Sequence, residues 1–469
     1  MIFHSADYII FLLVCLVVYW ALPRRGQNIF LLLASYFFYG YIHPWFIFLI
    51  LFTTIIDFYC GKAMEAVPER KKVFLVISVA KSLLMLCIFK YFGFFTDNII
   101  ALLGLAGYTG ITNTINIILP VGISFYTFQT MSYTIDIYRG TLKARTSFID
   151  YALFVAFFPQ LVAGPIERAA NLLPQFEKDR KFDPDAVREA LYLILWGFFK
   201  KLVIADNVGI TCNKIFMLED PSFLMFWTGV FAFHVQIFAD FSAYTDIARG
   251  CARLLGINII PNFNHPYIAT SPADFWRRWH QSLSSWIRDY IYIPLGGSRV
   301  RETRIHFNLM VTFILCGMWH GANWNYVVWG AYYGVLMCLV RVLQKIIPKK
   351  VRRNKPAIIL RVVAMFFLTQ IAWVIFREQD FHYIIKYLSI SPFGMSEFDV
   401  QAAVYVFLRV FIFSLPIWIH IVYAHVRDRV FGQRPWLFIV FKTLIATLMF
   451  IGILTLHSTN TVDFIYFQF

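Results

Sequence analysis

Residues 437–456 read LFIVFKTLIATLMFIGILTL, twenty positions that carry one charge, Lys442. At about 1.5 Å of rise per residue, this run makes a helix about 30 Å long, the thickness of a bilayer's hydrocarbon core. Segments 357–376 and 403–424 repeat the pattern. Of the 469 residues, 59% are hydrophobic and 19% aromatic, more apolar surface than a soluble core of this size can hide. The runs are continuous and lack the alternation of barrel strands. The spans are therefore helical, and the fold class is all-α, a polytopic membrane protein.

Charge sets the orientation. Tyr8 to Leu22 has no basic residue ahead of it and is followed by Arg24 and Arg25, the wrong polarity for a cleaved signal, so it reads as a retained span. Two apolar runs, Ile29 to Tyr41 and Trp45 to Cys60, separate Arg24 and Arg25 from the basic stretch Lys62 to Lys72, placing both basic loops on one face. That face is cytoplasmic, because basic loops stay inside. Lys345, Lys349, Lys350, Arg352, Arg353 and Lys355 join it, as do Arg427, Arg429 and Arg434, which leaves the segment after His457 outside. The net charge of +15 follows from such loops facing anionic lipid and calls for no nucleic acid.

The middle of the chain is less regular. Lys81 and Lys90 interrupt one apolar run, and Pro159, Gly164 and Pro165 break another. Irregular backbone at membrane depth survives only where protein or a wet cavity satisfies it, which predicts re-entrant pieces. Residues Glu167 to Glu189 read as a loop or short surface helices. With no internal repeat, residues 1–469 form one predicted domain of roughly 11 to 13 membrane segments. The seven cysteines are dispersed and read as small buried apolar residues.

Two histidines beside tryptophan carry the chemistry. In SPADFWRRWHQSLSSWIRDYIYIPLGG, from Ser271 to Gly297, the residues Phe275, Trp279, Leu283, Trp286 and Tyr290 recur at helical spacing. Phe275 to Ile291 thus reads as an amphipathic interfacial helix, with His280 facing either a cavity or the membrane surface. The second histidine, His320, lies in LCGMWHGANW, from Leu315 to Trp324. Arg299, Arg301 and Arg304 precede its run, and the cluster from Lys345 follows the next one. Fifteen residues, Ile305 to Trp319, reach about 22 Å, so His320 is expected deep in the membrane. An imidazole there is costly unless it works on a proton or donates to a carbonyl, and the residues alone permit both readings. Trp319, Asn323 and Trp324 are expected to line its cavity, with Trp276 and Trp279 alongside.

In VQIFADFSAYTDIARG, the residues Gln236, Asp240 and Tyr244 share one helical face. Asp240 either pairs with an arginine or helps line a polar tunnel. The chain closes on FIYFQF, 464–469, whose one nucleophile, Tyr466, is either an interfacial anchor or an acyl acceptor. The phosphate loop, zinc-protease, serine-elbow and metal-ligand spacings do not occur, so neither metal nor bound cofactor is expected.

Taken together, YFFYGYIHPW, VGISFYTFQTMSYTIDIYRG, FFPQLVAGPIER, FADFSAYTDIARG, ATSPADFWRRWHQSLSSWIRDYIYIPLGG, LCGMWHGANW and FIYFQF resemble, in that order, the membrane-bound O-acyltransferase family. The likeness is to its bacterial branch that acetylates alginate, peptidoglycan and related polymers. That resemblance implies a helical bundle around a tunnel in the cytoplasmic (inner) membrane. It implies acyl transfer from a cytosolic thioester, acetyl-CoA or an acyl carrier protein, toward a cell-envelope or exported polysaccharide. His320 matches the catalytic histidine and His280 a second one; Trp319, Asn323 and Trp324 would shape the site, with Asp240 supporting the tunnel and Tyr466 a candidate acceptor. An extracytoplasmic SGNH-type transferase is the implied partner. The alternatives are D-alanyl transfer to teichoic acid and a non-enzymatic transporter or flippase of lipid-linked sugar, whose inverted repeats are not visible.

Overall fold

The computed structural model describes residues 1–459 and 462–465, apart from 116, 163, 349, 351–353, 433 and 434. Lys349, Arg352, Arg353, Arg434 and Tyr466 thus lie outside the described residues. Helices make up the described chain, without a strand among those residues. Seven are long and apolar enough to cross a membrane: Phe46–Ala66, Pro68–Leu105, Phe223–Leu254, Trp324–Ile346, Lys355–Arg377, Glu397–Arg427 and Trp436–Leu456, with Ala6–Trp20 shorter. Seven is fewer than the expected 11 to 13 segments; shorter helices, such as Ile123–Tyr138, Phe148–Ala156 and Phe158–Leu161, lie between the long ones.

Polarity sorts these helices radially. In the 223–254 helix 72% of the apolar window lies inside the protein, against 11% for the 436–456 helix. The outer helix carries side chains that lipid accepts as readily as protein does, so packing gains little for it. The central helix carries His234, Gln236, Asp240, Ser242 and Thr245, all buried, which only other polar groups can satisfy. It is the post around which the bundle is built.

Irregular backbone sits where partners exist for it. The break falls at Phe157, between the short helices 148–156 and 158–161, with Pro159 in the first turn of the second and residues 151–161 buried. There Gln129 and Gln160 each donate a side-chain N–H to the Phe154 carbonyl, at 2.5 and 2.8 Å. Three π-helical turns, Cys87–Tyr91, Lys200–Ala205 and Arg288–Tyr292, interrupt other helices. Such turns often mark functional positions. Lys81, one of the two lysines expected to disturb a span, is paired with Asp57 at 2.7 Å, and Ser78 donates to the same carboxylate.

The predicted continuous helix over Phe275 to Ile291 is not formed. The chain makes two short helices, Pro272–Arg278 and Gln281–Ile287, and then a π turn. His280 at the break takes the left-handed conformation, φ 43°. Asn262 causes this: its carbonyl accepts from the Gln281 amide at 2.9 Å and its side chain from Ser282 Oγ at 2.6 Å. These tertiary bonds override the periodicity. Nor is the segment interfacial, since Phe275, Trp279, Leu283 and Trp286 are buried in the core.

The Glu302–His320 and Trp324–Ile346 helices form a tight antiparallel pair. Their basic ends meet, Glu302 pairing with Arg341 at 2.9 Å and Lys345 at 2.9 Å, which puts both flanks on one face as the charges require. Gly317 is obligatory in this pair, because a Cβ there would collide with the Tyr326 carbonyl.

Candidate active site

His320 is the last residue of the 302–320 helix and is 5% exposed. Its ring stands edge-on to Trp319, Trp329 and Phe376, at centroid distances of 5.0, 5.0 and 5.3 Å. It lines a cavity of about 140 Å³ together with Trp319, Lys90, Ser124, Phe125 and residues 119–123. At roughly 30 Å³ per liquid water, that space suits four or five waters or a small acyl group. The imidazole therefore borders open volume in an aromatic box.

Lys90 was legible only as an interruption of an apolar run. Its Nζ donates to the Trp319 carbonyl, to the His320 carbonyl at 3.2 Å and to Ser124 Oγ at 3.4 Å. A cation at these carbonyls meets the negative end of the helix dipole and fixes the backbone that carries the histidine. Tyr91, next in the same π turn, donates to the Met318 carbonyl at 2.7 Å. The signal for Lys90 was its charge inside a span, which commonly marks function.

His280 is fully buried beside Trp319, with its ring centroid 5.8 Å from the indole. Phe241 lies edge-on at 4.8 Å, and Ser282 Oγ is 3.5 Å from Nδ1. The two histidines that the sequence singled out thus touch the same tryptophan.

A larger cavity, about 530 Å³, approaches from the basic face. Arg277, Arg288, Arg341 and Gln344 line its polar part, and Trp276, Phe313 and Cys316 its inner part. Cys316 lies one helical turn before His320, and Trp276 packs on Trp329, which touches His320. The smaller cavity is lined instead by 119–123, which follow the exposed loop after the Pro68–Leu105 span. The smaller space thus borders the histidine, whereas the larger one, on the basic face, ends at Cys316 and Trp276 and is not lined by it.

Several expected site residues lie elsewhere. Trp324 is 50% exposed and donates to Asn98 Oδ1 at 2.8 Å, outside both cavities, because it starts the next helix on the bundle's outer side. Asn323 is half-buried and lines neither cavity; Asn325 is the buried amide, donating to the Ile375 and Phe376 carbonyls at 3.1 Å each. Trp279 is core packing between Phe275 and Trp373. Gln236 is buried against Gly209. Asp240 is paired, as one reading held, but with Lys201 at 3.1 Å and not with an arginine.

A helical membrane bundle with a buried histidine on a cavity wall, and a larger basic cavity one helical turn away, is an arrangement that suits a membrane-embedded transferase. A family model described as the membrane-bound O-acyltransferase family matches residues 141–376, which include both histidines and Asp240. The chain is 39% identical over 385 residues to the probable alginate O-acetylase AlgI of Azotobacter vinelandii, covering 81% of this chain and 76% of the relative. It is 32% identical over 404 residues to the peptidoglycan O-acetyltransferase of Helicobacter pylori, covering 79% and 75%. To the teichoic acid D-alanyltransferase of Bacillus subtilis it is 29% identical over 287 residues, covering 57% and 71%. The chain belongs to the membrane-bound O-acyltransferase family and is a multi-pass enzyme of acyl transfer.

Proposed function

We propose that the protein moves acetyl groups from cytosolic acetyl-CoA, across the cytoplasmic membrane, for O-acetylation of a cell-envelope or exported polysaccharide. The observation that carries this is His320 at the wall of a cavity, with a second, larger space behind it on the basic face. The larger cavity takes the donor: Arg277, Arg288 and Arg341 meet its phosphates, and the apolar inner part takes the thioester arm. His320 is the general base. It accepts the proton of the attacking hydroxyl as that oxygen bonds to the thioester carbonyl carbon, the C–S bond breaks, and the departing thiolate receives the proton. His280, which touches the same Trp319 ring, completes the catalytic pair. Tyr466 is the first acceptor, its phenol holding the acetyl group as an ester until an extracytoplasmic SGNH-type partner passes it to the polymer.

The test uses the purified protein in liposomes with labelled acetyl-CoA. His320→Ala is expected to abolish label transfer, at least a thousandfold, with unfolding temperature little changed. Wild-type transfer by that variant overturns the base assignment. A donor left intact by the wild-type protein marks a transporter instead. The likeness to a teichoic acid D-alanyltransferase favours one second reading, a carrier-protein thioester as donor, so both thioesters are offered.

A further inference from the structure

Beyond the helix that ends at Leu456, the chain turns back into the protein. Asn207 Nδ2 donates to the Leu456 carbonyl at 2.9 Å, and the Ser458 amide to the Leu202 carbonyl at 3.4 Å. Lys201 Nζ then donates to the Val462 carbonyl at 2.7 Å, and the Ile465 amide to Asp240 Oδ2 at 2.8 Å. Lys201 is itself held by Asp206 at 2.8 Å and Asp240 at 3.1 Å, all three groups being buried. Phe464 packs on Tyr244 at 4.0 Å and Phe241 at 6.3 Å, and both Phe464 and Ile465 are buried.

Such a cluster is a costly way to hold a bundle together, since apolar residues of like volume do as well or better. Its groups point instead at the main chain of one short segment, offering a cation to a carbonyl and a carboxylate to an amide. Lys201 also sits in a π turn between the helices Pro184–Phe199 and Asp206–Phe216, which carries the lysine into the bundle. The aromatic packing continues from Phe464 through Phe241 to His280 and Trp319, and so to His320.

We infer that Lys201, Asp206 and Asp240 form a receptor for segment 462–465 and act as positioning residues for Tyr466, the residue that follows Ile465. The receptor reads backbone groups, so it fixes the height at which the segment stops while Phe464 fills the slot beside Tyr244. This rests on the reading of Tyr466 as acceptor, and its role is to hold the phenol where the thioester carbonyl arrives.

Ile465→Pro tests it from the segment's own side, because proline has no N–H to give Asp240 and every buried charge stays in place. Two quantities are measured on the full-length protein: deuterium uptake of the peptide 457–464, and labelled acetyl on the peptide that contains Tyr466. Uptake is expected to rise and kcat for acetylation to fall tenfold or more, as for the loss of a hydrogen bond to a charged group, with KM for acetyl-CoA and the unfolding temperature unchanged. Lys201→Arg, which keeps charge and donors, is expected to retain more kcat than Lys201→Met by at least fivefold. Unchanged uptake in Ile465→Pro, or raised uptake with wild-type kcat, overturns the inference. Raised uptake in Ile465→Pro, with a wild-type protein that never carries acetyl on Tyr466, leaves the receptor standing and removes the acceptor reading.

Discussion

Two lysines on π turns, Lys201 buried and Lys90 half-buried, meet opposite surroundings. Lys201 faces the carboxylates of Asp206 and Asp240, whereas Lys90 faces the carbonyls of Trp319 and His320 and the hydroxyl of Ser124. Among the described residues, no carboxylate lies within ion-pair distance of Lys90. A cation neutralised on two sides projects little field, and Lys201 serves to hold the segment whose Val462 carbonyl it meets. One held only by neutral oxygens, at a cavity wall beside the histidine, keeps its field available to whatever enters. Anion charge that develops on a thioester oxygen during attack is the kind of change such a field stabilises.

The comparison breaks or sharpens under substitution. Lys201→Met is expected to have the largest effect on stability, about 3–5 kcal/mol, because it strands two buried carboxylates. Thermal or denaturant unfolding in detergent measures it, and a shift below about 1 kcal/mol would put Lys201 in the same class as Lys90. For Lys90→Met the two readouts should separate, the unfolding temperature staying within a few degrees while turnover of labelled acetyl-CoA falls about tenfold or more, about 1.4 kcal/mol of barrier. Equal losses in both would make Lys90 a structural cap only. Ser124→Ala, which removes one of three acceptors, is expected to lower turnover a few-fold, measured in the same assay.

The smallest effect concerns the exposed cluster where the basic ends of the 302–320 and 324–346 helices meet. Bonds from Arg341 and then Lys345 lower the Glu302 carboxyl from 4.5 to about 2. A carboxylate depressed on folding contributes stability above pH 4.5, and that contribution is lost as pH falls from 4.5 toward 2. Glu302→Gln should therefore flatten the acid limb of unfolding in that window, by a small amount because solvent screens the pair. An identical acid limb in wild type and variant would remove the cluster from the account.

The sequence carried the fold class because a bilayer imposes length and apolarity on each helix separately, without reference to its neighbours. Basic loops carried the orientation for the same reason, and the Glu302–Arg341 and Glu302–Lys345 pairs agree with it. His280 and His320 were legible as polar rings in apolar company. What the sequence could not hold was direction. Trp324 and Asn323, three or four residues from His320, turn away from the cavity, whereas Lys90, 230 residues distant, caps its helix. The broken segment around His280 depended on Asn262, and the partner of Asp240 on a π turn that no periodicity reveals. Composition and charge fixed which parts enter the membrane, since transfer free energy belongs to each segment. Which polar groups meet inside it was decided by tertiary structure alone, because a buried cation or amide is satisfied by whatever the folded bundle brings within about 3 Å.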